Sequence, residues 1–385
     1  MNTTKTPLLV IATGIYPPDI GGPATVAQSV ARAFRDRGVR VRVVTFGRGV
    51  GEEGITLYRV SRWLPWIVRH VVYVFRVWRA SAGASHVLAL SAKTPGVAAH
   101  IARIMRGVPV TVRIAGDYAW EYAIQKRITL LLIDDFQSAP VGGWAGMLRR
   151  IQRWVVRRSA RVVVPSQYLR SIVQGWGYDA ERIMVVPNAV TFAPSDLSRQ
   201  DARTRIGIPG ALIVSVGRLV PWKGFRMLIK IMPQLLELNQ FFRLVIVGDG
   251  PERDILRTMA KNLGLEKKVF IVGSKSHEEL PLYLAAADLF VLNTGYEGFS
   301  HQIIEAMAAG VPVITTTAGG NREVIAQGEN GLMVKYNDEF NLREAIRALW
   351  DMPELREQFS EAGKVTARIY NEERMRDAWV TALQL

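Results

Sequence analysis

Residues 211–247 read ALIVSVGRLVPWKGFRMLIKIMPQLLELNQFFRLVIV, and this stretch decides the fold. Its first run, 212–216, is short, apolar and partly β-branched, as expected of a strand buried on both faces. A loop with Gly217, Arg218, Lys223 and Gly224 follows, and residues 226–238 then place apolar side chains at helical spacing. The run 242–247 is a second buried strand. With a helix rather than a hairpin turn between them, the two strands are parallel and the unit is βαβ.

The alternation continues outward in both directions. Strand patterns recur at 269–272, 289–292 and 311–315, and earlier at 8–12, 39–45, 87–90, 108–114 and 161–165, with another closing at Pro187-Asn188. Amphipathic helical patterns cover 24–37, 251–263 and 300–309. The expected class is α/β: two Rossmann-like, doubly wound parallel-sheet domains facing across a cleft. The polar, turn-rich stretch 187–210 holds the boundary, placed at 195/196. That predicts an N-terminal domain over 1–195, a second over 196–368, and a helix within 369–385 packing back on the first. In such sheets ligands sit beyond the carboxyl ends of the strands, so the loops there carry the candidate chemistry.

Composition narrows the function. The 385 residues are 49% hydrophobic and 22% charged, which excludes disorder, and they contain no cysteine, which excludes thiolate catalysis, iron–sulfur clusters and Cys-based zinc sites. A reducing compartment fits this absence. The formal net charge is +15, and all of it belongs to the first half: residues 1–200 hold 27 Lys+Arg against 11 Asp+Glu, residues 201–385 hold 22 against 23. An anionic partner for the first half is one reading, and a general preference for Arg is the other. The start, Met1-Asn2-Thr3-Thr4-Lys5 before Leu8-Leu9-Val10-Ile11, is too short for a signal-peptide core. The stretch 63–78 is interrupted by Arg69, His70 and Arg76 and does not span a bilayer.

Three loops hold candidate site residues. In Tyr16-Pro17-Pro18-Asp19-Ile20-Gly21-Gly22-Pro23, the paired glycines precede a helix, where main-chain N–H groups can approach an anion; a plain tight turn is the alternative. In Val216-Gly217-Arg218-Leu219-Val220-Pro221-Trp222-Lys223-Gly224-Phe225, two cations follow a strand and can jointly neutralise a diphosphate. In Glu297-Gly298-Phe299-Ser300-His301-Gln302-Ile303-Ile304-Glu305, one carboxylate ends a loop and the other lies two turns into a helix, suited to a sugar hydroxyl and a ribose diol; a capping or solvated pair is the alternative. The Gly-Gly loop is not G-x-G-x-x-G and no G-x-x-x-x-G-K-[ST] occurs, so a nicotinamide dehydrogenase lacks its fingerprint at that strand-to-helix turn.

Taken in order, these pieces resemble the retaining glycosyltransferases of family 4, which have the GT-B fold of two Rossmann-like domains. The resemblance covers nearly the whole chain and is strongest over 211–335. It rests on the Gly-Gly loop, G-R-L-x-x-x-K-G-F from Gly217, V-G-D-G-P from Val247, Ala286-Ala287-Asp288, the Glu297/Glu305 pair with E-A-M-A-A-G-V-P-V-I, and Gly319-Gly320-Asn321-Arg322-Glu323. It implies a hexosyltransferase working with retention and without a metal or other cofactor, its donor a GDP- or UDP-sugar. Arg218 and Lys223 would then hold the donor diphosphate, Glu297 the transferred sugar and Glu305 the ribose. Gly21, Gly22 and Gly217 with the amides of Gly298, Phe299 and Ser300 would complete the phosphate cradle, and the base would lie near Gly248, Val272, Gly273 and Ser274. Where many members carry a His near the sugar, this chain has Val112-Arg113-Ile114-Ala115-Gly116-Asp117, and Asp117 is the expected substitute on the acceptor side. A solvated loop Asp is its alternative. His301 is a further candidate, with packing at the helix start as its alternative.

The basic half suggests the acceptor. Arg62, Arg69 and Arg76 are spaced by seven within an apolar, Trp-rich segment, and Arg149, Arg153, Arg157 and Arg161 are spaced by four opposite Met147, Leu148, Ile151 and Trp154. A basic face, an apolar face and interfacial aromatics describe a helix lying on an anionic membrane, whereas plain packing on a sheet is the alternative. The expected partners are therefore a nucleotide sugar, a glycan or lipid-linked acceptor and an anionic membrane at its cytoplasmic face, with no nucleic acid. A nucleotide-sugar epimerase on the same fold, and a basic nucleic-acid-binding protein, are the competing functions.

Overall fold

The computed structural model describes residues 6–19, 21–47 and 51–384; the 1–5 start, Ile20 of the Gly-Gly loop and Leu385 lie outside them. Two compact units are formed, one from residues 1–188 and 372–385, the other from 189–371. Among the described residues the first unit holds one parallel sheet of β1 (Leu8–Ala12), β2 (Arg40–Phe46), β3 (Ile55–Val60), β4 (His86–Ala89), β5 (Val110–Arg113), β6 (Arg161–Val164) and β7 (Ile183–Val185). Its order is β3-β2-β1-β4-β5-β6-β7. The second unit repeats the plan with β8 (Ala211–Val216), β9 (Phe242–Val247), β10 (Val269–Gly273), β11 (Leu289–Leu292), β12 (Val313–Thr316) and β13 (Leu332–Val334), in the order β10-β9-β8-β11-β12-β13. Both sheets are parallel throughout.

Each sheet starts in its middle and reverses direction once, which creates a switch point between β1 and β4 in one and between β8 and β11 in the other. The central strands are apolar because helices cover both faces: every residue of β1, β8 and β11 is buried. The helix Phe225–Leu238 shows how the local sequence enforces this. It buries Phe225, Leu228, Ile229, Ile231, Met232 and Leu235 against the second sheet, and tolerates Pro233 within it.

The unit boundary falls at 188/189 instead of 195/196, for a visible reason. Arg113 donates to the Asn188 side chain at 2.6 Å, while the Val190 N–H donates to the Tyr370 carbonyl at 2.9 Å. The chain therefore changes allegiance between those two residues. The helix Glu372–Leu383 belongs to the first unit, where it buries Met375, Trp379, Ala382 and Leu383. Ser29 donates to Glu372 at 2.8 Å, and Arg161 to the Ala382 carbonyl at 2.8 Å.

Candidate functional site

The switch point of the second sheet collects most of the residues singled out above. The loop leaving β8 is clamped before it can present anything: Gly217 N–H donates to Val247, Leu219 N–H to Asp249, and Leu219 and Val220 are buried. Arg218, between them, is exposed, and its side chain makes no hydrogen bond or ion pair with the other described residues. Residues Pro221–Lys223 form a 3₁₀ turn that ends in Gly224 at φ +63°, where a Cβ would stand 1.8 Å from the Asn293 carbonyl oxygen. Only glycine allows so close an approach of the β8 and β11 loops. The Trp222 carbonyl ties the loops further, accepting from Gly295 N–H at 2.7 Å and Thr294 Oγ1 at 3.2 Å.

This clamp brings Lys223 and Glu297 together. Lys223 Nζ donates to Glu297 Oε1 at 2.5 Å, with both side chains about nine-tenths buried. A buried pair of this kind holds its geometry but gains little net stability, because desolvation offsets the attraction. Its value is positional: a cation and a carboxylate are held ready at the carboxyl edge. Glu297 is fixed from behind by Gly320, whose N–H donates to its carbonyl at 2.9 Å.

The segment after Glu297 is unusual in its polar accounting. Gly298, Phe299 and Ser300 are buried, yet their main-chain N–H groups find no acceptor among the described residues. Ser300 spends its hydroxyl capping the helix His301–Ala308, accepting from Ile303 N–H at 3.4 Å. Glu305, within that helix, is 9% exposed and accepts no side-chain hydrogen bond from another described residue. Burial pushes its carboxyl up to about 7. Buried polar groups are almost always paired, so three open donors beside one open carboxyl mark a place shaped for a ligand with an anion and hydroxyls.

The remaining second-unit candidates are partly assembled. Gly248 N–H donates to the Gly273 carbonyl at 2.9 Å, joining the ends of β9 and β10, and a Cβ on Gly248 would stand 1.9 Å from the Gly217 carbonyl oxygen. Val272 is half-buried and Ser274 exposed beside them. His301 packs edge-on to Phe299, centroids 6.3 Å apart, at the start of its helix. Among the described residues no three His, Asp or Glu side chains converge as metal ligands.

The first unit departs from expectation at Asp117. Instead of facing a substrate, Asp117 is 1% exposed and caps the helix Tyr118–Gln125, accepting from Ala119 and Trp120 N–H at 3.0 and 3.1 Å. Gln137 and Gln152 donate to its two oxygens at 2.8 and 3.2 Å. Four donors within the protein hold this buried carboxylate, three on Oδ1 and one on Oδ2, so its role is structural. Gly21 and Gly22 open the helix Gly22–Arg35, and the Gly21 carbonyl accepts from Ala24 and Thr25. Gly22 is exposed.

Comparison with known proteins gives this geometry a family. The profile of Glycosyl transferases group 1 matches residues 198–366, and that of the Glycosyl transferase 4-like domain matches residues 21–189. The chain belongs to glycosyltransferase family 4. Curated relatives of the chain include lipopolysaccharide core biosynthesis glycosyltransferase LpsD of Rhizobium meliloti, 34% identical over 54% of this chain and 57% of that one. Mannosylfructose-phosphate synthase of Agrobacterium fabrum is 33% identical over 49% and 44% of the two chains. The chain thus spans about half the length of these curated relatives. Anabaena HepE, solved with UDP and with UDP-glucose, superposes with TM-scores of 0.78 and 0.79 at 20% identity, over 98% and 97% of this chain and 99% of that one. The fold is GT-B.

The basic helices of the first unit also differ from their linear reading. The helix starts at Trp66, so Arg62 precedes it and grips Asp19 with two bonds of 2.6 and 3.0 Å. Arg69 and Arg76 turn back onto the carbonyls of Arg62 and Arg59. The helix Gly143–Arg158 packs on the core through Leu148, Val155 and Val156, with Ile151 and Trp154 against it. What remains open is apolar: Trp63, Trp66, Ile67 and Val71 are all more than 60% exposed. No helix among the described residues is long and apolar enough to cross a membrane.

Two residues escaped the sequence reading. Asn293, fully buried, donates to the Asn337 side chain at 2.9 Å and accepts from Asn337 N–H at 3.1 Å, which fixes the β11 loop. The signal was a polar residue directly after the apolar strand Leu289–Leu292.

Proposed function

We propose that the protein transfers a hexose from a UDP- or GDP-sugar to a hydroxyl of a glycan or lipid-linked acceptor, with retention and without a metal, in cell-envelope polysaccharide or glycolipid synthesis. The observation that carries this reading is the set of open donors at Gly298, Phe299 and Ser300 beside the unpartnered Glu305. A nucleoside diphosphate satisfies both: its phosphate accepts from the amides at the positive end of a helix, and its ribose diol donates to the carboxylate. The binding of UDP and UDP-glucose by HepE supports a nucleotide-sugar donor, and LpsD supports an envelope glycan acceptor.

In this reading Arg218 and Lys223 stabilise the departing diphosphate, which a metal would otherwise do. Glu297 orients a hydroxyl of the transferred sugar while holding Lys223 in place. The bond from the anomeric carbon to the phosphate oxygen lengthens toward an oxocarbenium-like state. The acceptor oxygen then bonds that carbon on the same face, and its proton passes to the departing phosphate. Removing one such preorganised charge costs ~3–4 kcal/mol, roughly 10²–10³ in rate. Trp63 and Ile67, open at the start of the helix 66–80, rest on the cytoplasmic face of an anionic membrane, where a lipid-linked acceptor lies.

A thermal-shift panel of nucleoside diphosphates and nucleotide sugars tests the donor assignment. Selective stabilisation by UDP- or GDP-sugars is the expected result, and no stabilisation by any member of the panel contradicts it.

A further inference from the structure

The first unit carries an open site of its own. The helices Trp66–Ala80, Thr94–Arg106 and Gly143–Arg158 border a groove of about 750 Å³. Its polarity is graded. His70, Lys93, Thr94 and Tyr118 are at one end, while the opposite end is hydrocarbon and indole, with Trp78, Ile101 and Met105. No Asp or Glu lines it among the described residues. Such open apolar surface is rarely kept on a soluble face without an occupant: Val71 is 63% exposed, Met105 61% and Phe75 52%.

The polar end has a defined place in the fold. Lys93 and Thr94 follow β4, and Tyr118 follows β5, so this end lies at the carboxyl edge of the sheet, beside the switch point between β1 and β4. Lys93 is exposed there, its ammonium 3.5 Å from the centre of the Tyr118 ring. From Thr94 to Met105 the groove follows one helix for eleven residues, about 16 Å at 1.5 Å per residue. A cationic mouth at the reaction edge and an apolar trough leading away from it are complementary to one kind of molecule, an amphiphile with an anionic head and a single hydrocarbon chain.

We propose that this groove holds the hydrocarbon chain of a lipid-phosphate acceptor, with the phosphate at Lys93 and the chain along the helix Thr94–Arg106. This rests on the sugar-transfer reading and names where its lipid-linked acceptor binds. The chain end is buried against Trp78 and Met105, while the sugar-accepting head stays at the carboxyl edge.

The test uses the full chain and 11-bromoundecyl phosphate below its micellar concentration, because bromine quenches nearby indoles and Trp66, Trp78 and Trp144 line the groove. Saturable quenching at one molecule per chain is expected. It should weaken at least tenfold in Lys93→Glu and in Val71→Glu, the latter an exposed position where a charge leaves the core intact. Butyl phosphate should not compete. Non-saturating quenching, equal quenching by the trimethylammonium analogue, or full retention in Val71→Glu would overturn the proposal. So would quenching confined to vesicles, which assigns the face to a bilayer, or a dimer by sedimentation that the lipid does not dissociate, which assigns it to a second copy. Calorimetry of UDP- and GDP-sugars on the same samples separates the two readings. Donor binding without lipid-phosphate binding removes only this inference, whereas lipid-phosphate binding without donor binding removes the transfer reading.

Discussion

The two sheets share one strand plan, yet their switch points are finished in opposite ways. Beyond β8 and β11 the loops bury charge: Lys223 and Glu297 pair out of solvent, while the Glu305 carboxyl and three amides find no partner among the described residues. Beyond β4 and β5 Asp117 is locked by four hydrogen bonds, and the open surface is a groove with the exposed Lys93 at its mouth and an apolar trough behind it. Identical topology therefore supports a polar anion cradle in one unit and a greasy trough in the other. The difference lies in the loops and helix faces, which is where function is set on a shared fold.

The sharpest way to break this contrast is to remove charge from the second unit. Lys223→Ala and Arg218→Ala should each lower kcat by roughly 10²–10³, with Lys223→Ala also losing stability because Glu297 is left buried and alone. A steady-state assay with a nucleotide-sugar panel measures this.

The second contrast is in stability against pH. Burial raises Glu305 to about 7, so the folded state holds that proton more tightly than the unfolded chain. Stability from this group therefore falls as pH rises from the ordinary carboxylate range to 7, and the full cost is present above it. Glu305→Gln should be more stable than wild type by up to about 3 kcal/mol at pH 8 and no more stable at pH 4. The same variant should bind nucleoside diphosphates more weakly. Thermal melts at the two pH values, with and without nucleotide, check both outcomes.

A smaller effect is expected at Asp117. Asp117→Ala removes a helix cap and leaves Gln137 and Gln152 without their acceptor, costing about 2 kcal/mol, while kcat in the folded protein stays near wild type. Denaturant midpoints beside kcat distinguish this from a substrate-contacting role, which would lower kcat at full stability.

The fold was legible where strands are buried on both faces. β8, β9 and β11 are largely apolar runs, interrupted only by Ser215 and Arg243, and were read within a residue or so of their observed ends. β3 and β13 were not read, since each sits at a sheet edge: β3 buries only its two end residues and pairs only with β2, and β13 has three residues. Within the site, the glycine-to-helix step at Gly298 and the placement of Glu305 were visible locally. The direct contact of Lys223 with Glu297 was not, because it spans 74 positions and exists only since β8 and β11 are neighbours. Asp117 was misread because its local pattern, an Asp before a helix, fits a cap as well as a ligand contact. Its deciding partners, Gln137 and Gln152, lie 20 and 35 residues away.

The central claim, that the open amides and carboxyl of the second unit receive a nucleoside diphosphate, is tested most directly by a crystal structure with UDP or GDP bound. Phosphate oxygens within hydrogen-bond distance of the Gly298–Ser300 amides, a ribose diol on Glu305 and Arg218 drawn onto the diphosphate are the predicted result. A nucleotide ordered elsewhere, with those amides and Glu305 still without partners, would contradict it.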